Sequence, residues 1–381
     1  MDSNTLNRDA VKIVDDDLAA VLAAIIADYE QRAGKVLQPA HIERLIINTF
    51  AYRETLLRQQ VNEAYRQQHP RFATGLMLDL CGDDVNTPRL SAQPALTTLR
   101  FAAAGLASAE QISIPVGTQV AVGQVVFVTT EAGSLTATRS QIDLAAECAE
   151  TGIRGNGWSV GQINTLLQAL HPLIDVKVSN ISVPAGGVDV ESDDAYRERI
   201  LLAPESFSVA GPVGAYAYWS RQVSPAIVDV HVANDTTSNG TPIGGTVAVT
   251  LLTRDGMPSG ELMTEVQTAL NHERRRPLCD TVIVREPAVV NYQLSAVLTL
   301  YTGANEAEVL AAARAAWAAY EDSRRGKLGG DIVPLAIQSV LKVAGVYNVT
   351  TPGLALTVVK PNQWARCQSV SITAAPERAD G

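Results

Sequence analysis

Gly186-Gly187-Val188-Asp189-Val190-Glu191-Ser192-Asp193-Asp194-Ala195-Tyr196-Arg197-Glu198-Arg199-Ile200, preceded by Asn180-Ile181-Ser182-Val183-Pro184-Ala185, joins a backbone turn, an acidic patch and a helix start in one run. Pro184 presets φ, and Gly186 and Gly187 tolerate φ > 0, so residues 184–187 read as a turn. Ser192 is placed as an N-cap. Asp193 and Asp194 then fall in the first helical turn, where carboxylates complement the positive end of the dipole, and Arg197 and Arg199 follow on the helix. The same acids suggest a second chemistry. Glu191, Asp193 and Asp194 are oxygen donors of the kind that hold Ca²⁺ or Mg²⁺. Their spacing is not that of an EF-hand loop and no second acidic cluster lies close in sequence, so helix capping takes precedence.

On the N-terminal side of this run the chain reads first as helix and then as strand. Leu18, Val21, Leu22, Ile25, Ile26 and Tyr29 recur at helical spacing behind Asp15–Asp17, and Gly34 ends the repeat. Pro39 is placed in the first turn of a second helix. That helix carries Ile42, Leu45, Ile46, Thr49, Phe50, Tyr52, Leu56, Leu57, Val61 and Tyr65. This apolar face is broader than a two-helix seam needs, so it is expected to join a bundle with other chains as well as to pack on its own. From Leu76 to about Asn180 short alternating runs predict strands, with Ile112–Val120 and Val125–Thr130 joined at Gly123 and a polar loop at Gly152–Gly157.

Beyond the run, two α/β units of similar order are expected. The first has strands at 227–232 and 246–252, a helix from Gly260 to Arg275 and a strand at 281–284. The second has a strand at 292–300, helices near 305–322 and 332–343, and strands near 346–351 and 367–373. The fold class is therefore α+β and multidomain: a helical pair (1–75), a β-rich middle domain (76–190), two small α/β sandwich domains (191–288 and 289–376) and a tail (377–381). The run at 184–200 reads as a hinge-like joint between the β-rich middle and the α/β half.

Composition narrows function. Hydrophobic residues make up 46% of the 381, which suffices for buried cores. A net charge of −10 and only 5% aromatic residues argue against nucleic acid, which needs a basic surface or stacking platforms. Cys81, Cys148, Cys279 and Cys367 form no CxxC pair and are expected to be buried free thiols of a reducing compartment. The start Met1-Asp2-Ser3-Asn4 lacks a basic leader, and no apolar stretch approaches a membrane span.

No motif assigns catalysis, a cofactor or a metal. His272-Glu273 continues into Arg274-Arg275-Arg276 and is not an HExxH helix, and Walker A, GxGxxG and GxSxG are absent. Gly329-Gly330-Asp331 reads as a helix stop followed by an N-cap at Asp331, and Glu261 with Glu265 as an acidic helix start. Arg274-Arg275-Arg276-Pro277 and Arg324-Arg325-Gly326-Lys327 are expected at helix C-termini, capping or meeting acidic surfaces of a neighbouring subunit.

Five blocks in register resemble the baseplate J-like proteins of contractile phage tails and tail-derived bacteriocins and injection machines. Ile114-Pro115-Val116-Gly117-Thr118 is similar to that family's IPxGT turn, and Phe127-Val128-Thr129-Thr130 to the segment after it. Gly155-Asn156 resembles its GN loop, and Gly186–Arg197 its GGxDxESDDxxR run, continued by Arg199-Ile200. Ser208-Val209-Ala210-Gly211-Pro212 with Ala215-Tyr216 resembles S-x-A-G-x…A-Y. The likeness covers roughly residues 70–290, and the flanks by order of elements. Between Asp79 and Arg89 a glycine is expected nearer the arginine, so the local turn departs from the pattern.

The resemblance implies a non-enzymatic wedge component of a baseplate. Two copies would join a smaller wedge protein through bundled N-terminal helices, and six wedges would close a ring around the central hub. The α/β domains would meet other copies, with sheath- or hub-proximal proteins as further partners and no nucleic acid or membrane. The ring would rearrange on sheath contraction, in a particle assembled in the bacterial host cytoplasm. A carbohydrate-binding adhesin, suggested by the β-rich middle, is the alternative; it would need sugar platforms from Trp158, Trp219, Trp317 or Trp364.

Overall fold

The structure, a computed structural model, describes residues 7–380 apart from 108–109, 209–210, 238, 273–274 and 278. The chain forms two compact units, Met1–Arg89 with Ser192–Ala203, and Leu90–Glu191 with Pro204–Gly381.

The first unit is helical. Asp17 accepts the Ala20 N–H to start α1 (Leu18–Ala33), and Gly34, at φ 60°, ends it in the left-handed geometry glycine adopts most cheaply. α2 (Ile42–Arg66) follows after a turn closed by the His41 N–H on the Gln38 carbonyl. Pro39 lies in that turn, outside the helix, contrary to the first-turn placement read from the sequence. Asn62, fully buried on α2, accepts from the N–H groups of Ile13 and Val14 and donates to the Val14 carbonyl at 2.9 Å. A buried amide satisfied in this way holds the N-terminal segment against α2. α3 (Gly75–Asp84) is a helix where the alternating pattern predicts the first strand residues. Leu76-Met77-Leu78-Asp79-Leu80 is apolar but for Asp79, yet of the apolar side chains of α3 only Leu78 and Cys81, three apart, are buried, and they pack with Tyr196 and Ile200 of α4 (Asp193–Leu202). Packing selects the helical period there.

In the second unit, residues 90–191 form an antiparallel sheet in the order β7-β3-β4-β6-β1-β8. The strands are β1 (Pro94–Ala103), β3 (Gln119–Val122), β4 (Val125–Thr129), β6 (Gln141–Thr151), β7 (Thr165–Leu166) and β8 (Val176–Asn180), with β2 (Gln111–Ile114) paired to β5 (Gly133–Thr136) as a small second sheet. Strict alternation on β1 and β6 sends Leu99, Phe101, Ile142 and Leu144 inward to one core with Phe127 and Ile163. The Asn180 N–H donates to Ile163 and its carbonyl accepts from Gly161, just ahead of β7. The outermost strands are thereby drawn together and the sheet curls round its core.

Two α/β domains complete this unit. In the first, β10 (Pro242–Thr253) is central, antiparallel to β9 (Ile227–Thr236) and parallel to β11 (Thr281–Arg285), with α5 (Val213–Arg221) and α6 (Gly260–Leu270) on one face. In the second, β12 (Ala288–Tyr301) is antiparallel to β13 (Val346–Thr350) and parallel to β14 (Gln363–Ala379), under α7 (Glu306–Arg325) and α8 (Pro334–Leu341). Each central strand has one parallel and one antiparallel neighbour. The orders differ, however: a hairpin opens the first domain and a helical crossover the second. α5 has no counterpart in the sequence reading, and α6 stops at Leu270, not Arg275. β14 continues through Arg378 and Ala379, which pair with Leu300 and Tyr301, so the stretch read as a tail from 377 begins inside a strand.

The signature segment and a candidate assembly surface

The segment from 180 to 191 cross-links the β-rich domain. Asn180 is fully buried; its side chain accepts the Ile163 N–H and donates to the carbonyls of Ser159 and Ser182. Gly186, at φ 85°, makes the left-handed turn that only glycine adopts freely. Gly187 serves a different need. The Asn156 carboxamide grips it from both sides, donating to its carbonyl at 2.7 Å and accepting its N–H at 2.9 Å. A Cβ on Gly187 would lie 2.4 Å from the Gly152 carbonyl oxygen. Asp189 accepts the Ile153 N–H at 3.1 Å. Glu191, 5% exposed, accepts the Leu90 N–H at 3.0 Å while the Glu191 N–H donates to the Leu90 carbonyl.

The IPxGT-like and FVTT-like blocks also meet in space. Thr129 Oγ1 accepts from the Thr118 N–H and donates to the Pro115 carbonyl, Thr118 Oγ1 donates to the same carbonyl, and the Gly117 N–H reaches the Thr129 carbonyl. These residues close a turn.

From Ser192 onward the run belongs to the helical unit. Ser192 caps α4 by accepting the Ala195 N–H. Asp193 accepts the Gly75 N–H at 2.9 Å and pairs with Arg89 at 2.8 Å, and Asp194 pairs with Arg197. The Gly75 N–H, aided by Arg89, holds the Asp193 carboxyl below the usual carboxylate range. Arg197 also donates to the carbonyls of Pro70 and Ala73, and the buried Arg199 to Pro88. Tyr196 is the centre of this core: its hydroxyl donates to the Thr87 carbonyl at 2.8 Å, and Arg89 lies over its ring at 4.5 Å. Burial pushes its phenol above the usual range. Each acid once weighed as a metal donor thus engages backbone N–H groups or arginine. The chain passes between the two units at 191 and back at 203, so the hinge reading needs correction. The helix after the turn joins the N-terminal helices and not the α/β half.

The arginine knots also sit differently. Arg275 and Arg276 lie beyond the end of α6; Arg275 stacks over Trp219 at 4.2 Å and donates to the Ala269 carbonyl, and Arg276 donates to the Asp280 carbonyl. Arg274 and Glu273 lie outside the described residues, as do Val209 and Ala210. Arg324 and Arg325 do occupy the last turn of α7, where Arg324 donates to the Asp331 carbonyl. Asp331 is not an N-cap, since its carboxylate accepts the Val359 N–H and α8 begins at Pro334 behind Val333. Cys81 and Cys148 are buried, whereas Cys279 is exposed and Cys367 half-buried. None of the four tryptophans is exposed. Among the described residues no group of His, Cys, Asp or Glu is arranged to hold a metal, and no helix is long and apolar enough to cross a membrane.

α2 also presents an open apolar surface. Ile47, Ala51, Thr55 and Asn62 form its buried stripe. Ile42, Ile46, Phe50, Leu57 and Val61 fall about 130° away round the helix, and they are exposed: 74% for Ile42, 67% for Phe50 and 62% for Leu57. Contiguous exposed apolar surface of this kind is uncommon on a protein that has no partner to cover it.

Four family models match the chain in order. They are the baseplate J-like N-terminal domain (residues 44–95), the barrel domain (98–187), the central domain (208–286) and the C-terminal domain (292–373). Baseplate protein J of Escherichia phage P2 is 38% identical over 170 residues, 44% of this chain and 54% of that protein, so the chain spans about half the length of the curated relative it matches. Among solved structures, a chain of the 6-fold symmetrised cryo-EM structure of the anti-feeding prophage baseplate aligns with a TM-score of 0.46 at 12% identity, covering 92% of this chain and 90% of that one. With successive models matching from residue 44 to 373 and the signature blocks in register, the chain belongs to the baseplate J-like protein family.

Proposed function

We propose that this chain is a non-enzymatic structural component of the baseplate of a contractile tail or tail-derived injection particle. The single observation that carries the reading is the exposed apolar stripe of α2, opposite a face already packed within the chain. The family match and the printed name of the phage P2 relative support the setting. In this role the stripe docks a helix of a smaller wedge protein, and the α/β domains meet further copies of the chain in a six-fold ring around the hub. Sheath- or hub-proximal proteins are further neighbours, and the ring rearranges when the sheath contracts. Assembly takes place in the bacterial host cytoplasm and the finished protein resides in the particle. The adhesin reading is weaker, because no tryptophan is exposed as a sugar platform.

Covering the exposed parts of Ile42, Ile46, Phe50 and Leu57 is worth about 1–2 kcal/mol each before association costs. Phe50→Glu with Leu57→Glu should therefore abolish co-purification with the neighbouring wedge protein while the helical content stays intact. Full retention of the complex by this variant would overturn the proposal.

A further inference from the structure

The free edge of β14 differs from the other sheet edges in this chain. β7, β11 and β13 are edge strands of two, five and five residues, β8 carries Lys177, and β9 carries Asp229 and Asp235. Short length and charge are how soluble proteins keep an edge from pairing. β14 is 17 residues long, and from Cys367 to Pro376 it has no charged side chain; Arg366 and Glu377 bracket the neutral stretch. Its pairing with β12 is regular from Ser369 to Ala374, between two irregularities. Ser369, Val370, Ser371 and Thr373 are exposed, Val370 by 43% although it shares the helix-covered face with the buried Ile372.

The stretch Ser369-Val370-Ser371-Ile372-Thr373 is also self-complementary. Reversed about Ser371, hydroxyl residues meet hydroxyl residues and β-branched apolar residues meet their like. An isologous contact demands this property of a surface. We propose that the β14 edge pairs antiparallel with the β14 edge of a second copy of this chain, about a two-fold axis through Ser371. Val370 then lies opposite the partner's Ile372 on the helix-covered face, which covers its exposed side chain. Ser369 lies opposite the partner's Thr373 on the open face, a pairing favoured across strands. The two three-stranded sheets become one of six, and the unpaired backbone groups of both edges are satisfied. Pro376, which has no N–H, limits the ladder at one end. This contact deepens the homotypic part of the proposed assembly and rests on that reading.

The test uses the full chain with Cys279→Ser and Cys367→Ser as background. Directly opposed residues of an antiparallel pair have Cα atoms roughly 4.5–5.5 Å apart, within disulfide reach. Ser371→Cys should form a disulfide-linked dimer on mild oxidation. Ser295→Cys, on the same open face but on the central strand, should not. Ser371→Lys places like charges opposite each other and should weaken self-association on the order of tenfold by sedimentation. Ser371→Glu should do the same, and mixing the Lys and Glu variants should restore the dimer. No disulfide at Ser371→Cys, or unchanged association of both charged variants, overturns the proposal. Co-purification of Ser371→Lys with the smaller wedge protein reports separately on α2, so failure of this contact is distinguishable from failure of the proposed function.

Discussion

Alanine at Gly187 should be more harmful than alanine at Gly186, although only Gly186 has a positive φ. A Cβ on Gly187 would meet the Gly152 carbonyl oxygen at 2.4 Å, Asn156 Oδ1 at 2.8 Å and the Ala95 nitrogen at 3.1 Å. Two of these are backbone atoms held by the sheet and the loop beside it. If the turn stays in place, overpacking costs about 1–3 kcal/mol. If it moves away, it loses the two Asn156 hydrogen bonds, at about 1 kcal/mol each net. The contact is close, so the expected loss lies at about 2–3 kcal/mol. Gly186→Ala meets nothing within 4 Å and bears only the left-handed penalty of roughly 1–2 kcal/mol. Hydrogen exchange read on peptides from β1 and β6 measures the change in opening free energy of this domain directly. Asn156→Ala should cost about 1–3 kcal/mol alone, and less when added to Gly187→Ala, since both break one arrangement. A Gly187→Ala loss equal to or below that of Gly186→Ala would refute the reasoning.

Three further outcomes follow from the helical unit. Gly82→Ala puts a Cβ 1.8 Å from the Tyr196 hydroxyl and should unfold the packing of α3 on α4, lowering the thermal midpoint of the unit by several degrees; Tyr196→Phe should cost only about 1 kcal/mol. Asp193 has a folded pKa below its unfolded one, so its contribution is present above the usual carboxylate range and is lost as pH falls through the folded value; acid unfolding should flatten in Asp193→Asn. Deleting residues 1–70 should leave the β-rich and α/β domains with native exchange protection while the wedge complex is lost, and retention of the complex would count against the α2 interface.

Periodicity was informative where one face alone is buried. β1, β6 and β12 alternate strictly, and α1 carries its cap and its stop glycine in plain view, so these elements are legible from residues alone. α3 is not, because Leu76, Met77 and Leu80 are exposed and their apolar character obscures the Leu78–Cys81 spacing that decides its form. α8 begins two residues later than its glycines suggest, since Asp331 binds the Val359 amide, a partner distant in sequence. The apolar breadth of α2 divides into a stripe buried within the chain and a second stripe left exposed. The signature run is legible as turn and cap, but not the Asn156 grip on Gly187, which joins residues 31 apart. Nor does local pattern reveal that the helix after it returns to the N-terminal unit.

That return sets an order of events during synthesis. The helical core needs Tyr196 and Ile200 against Leu78 and Cys81, so it stays incomplete while the ribosome makes the intervening stretch of Leu90–Glu191. Closing a floppy loop of about a hundred residues would be slow and entropically unfavourable. The stretch is not floppy: it is a folded β domain whose ends, Leu90 and Glu191, are hydrogen-bonded to each other. Once that domain has formed, the two strands entering and leaving it are already side by side, and Ser192 can start its helix beside Arg89. The nascent N-terminal helices are thus sealed only after residue 203 has emerged. Until then Leu78 and Cys81 lack their α4 cover.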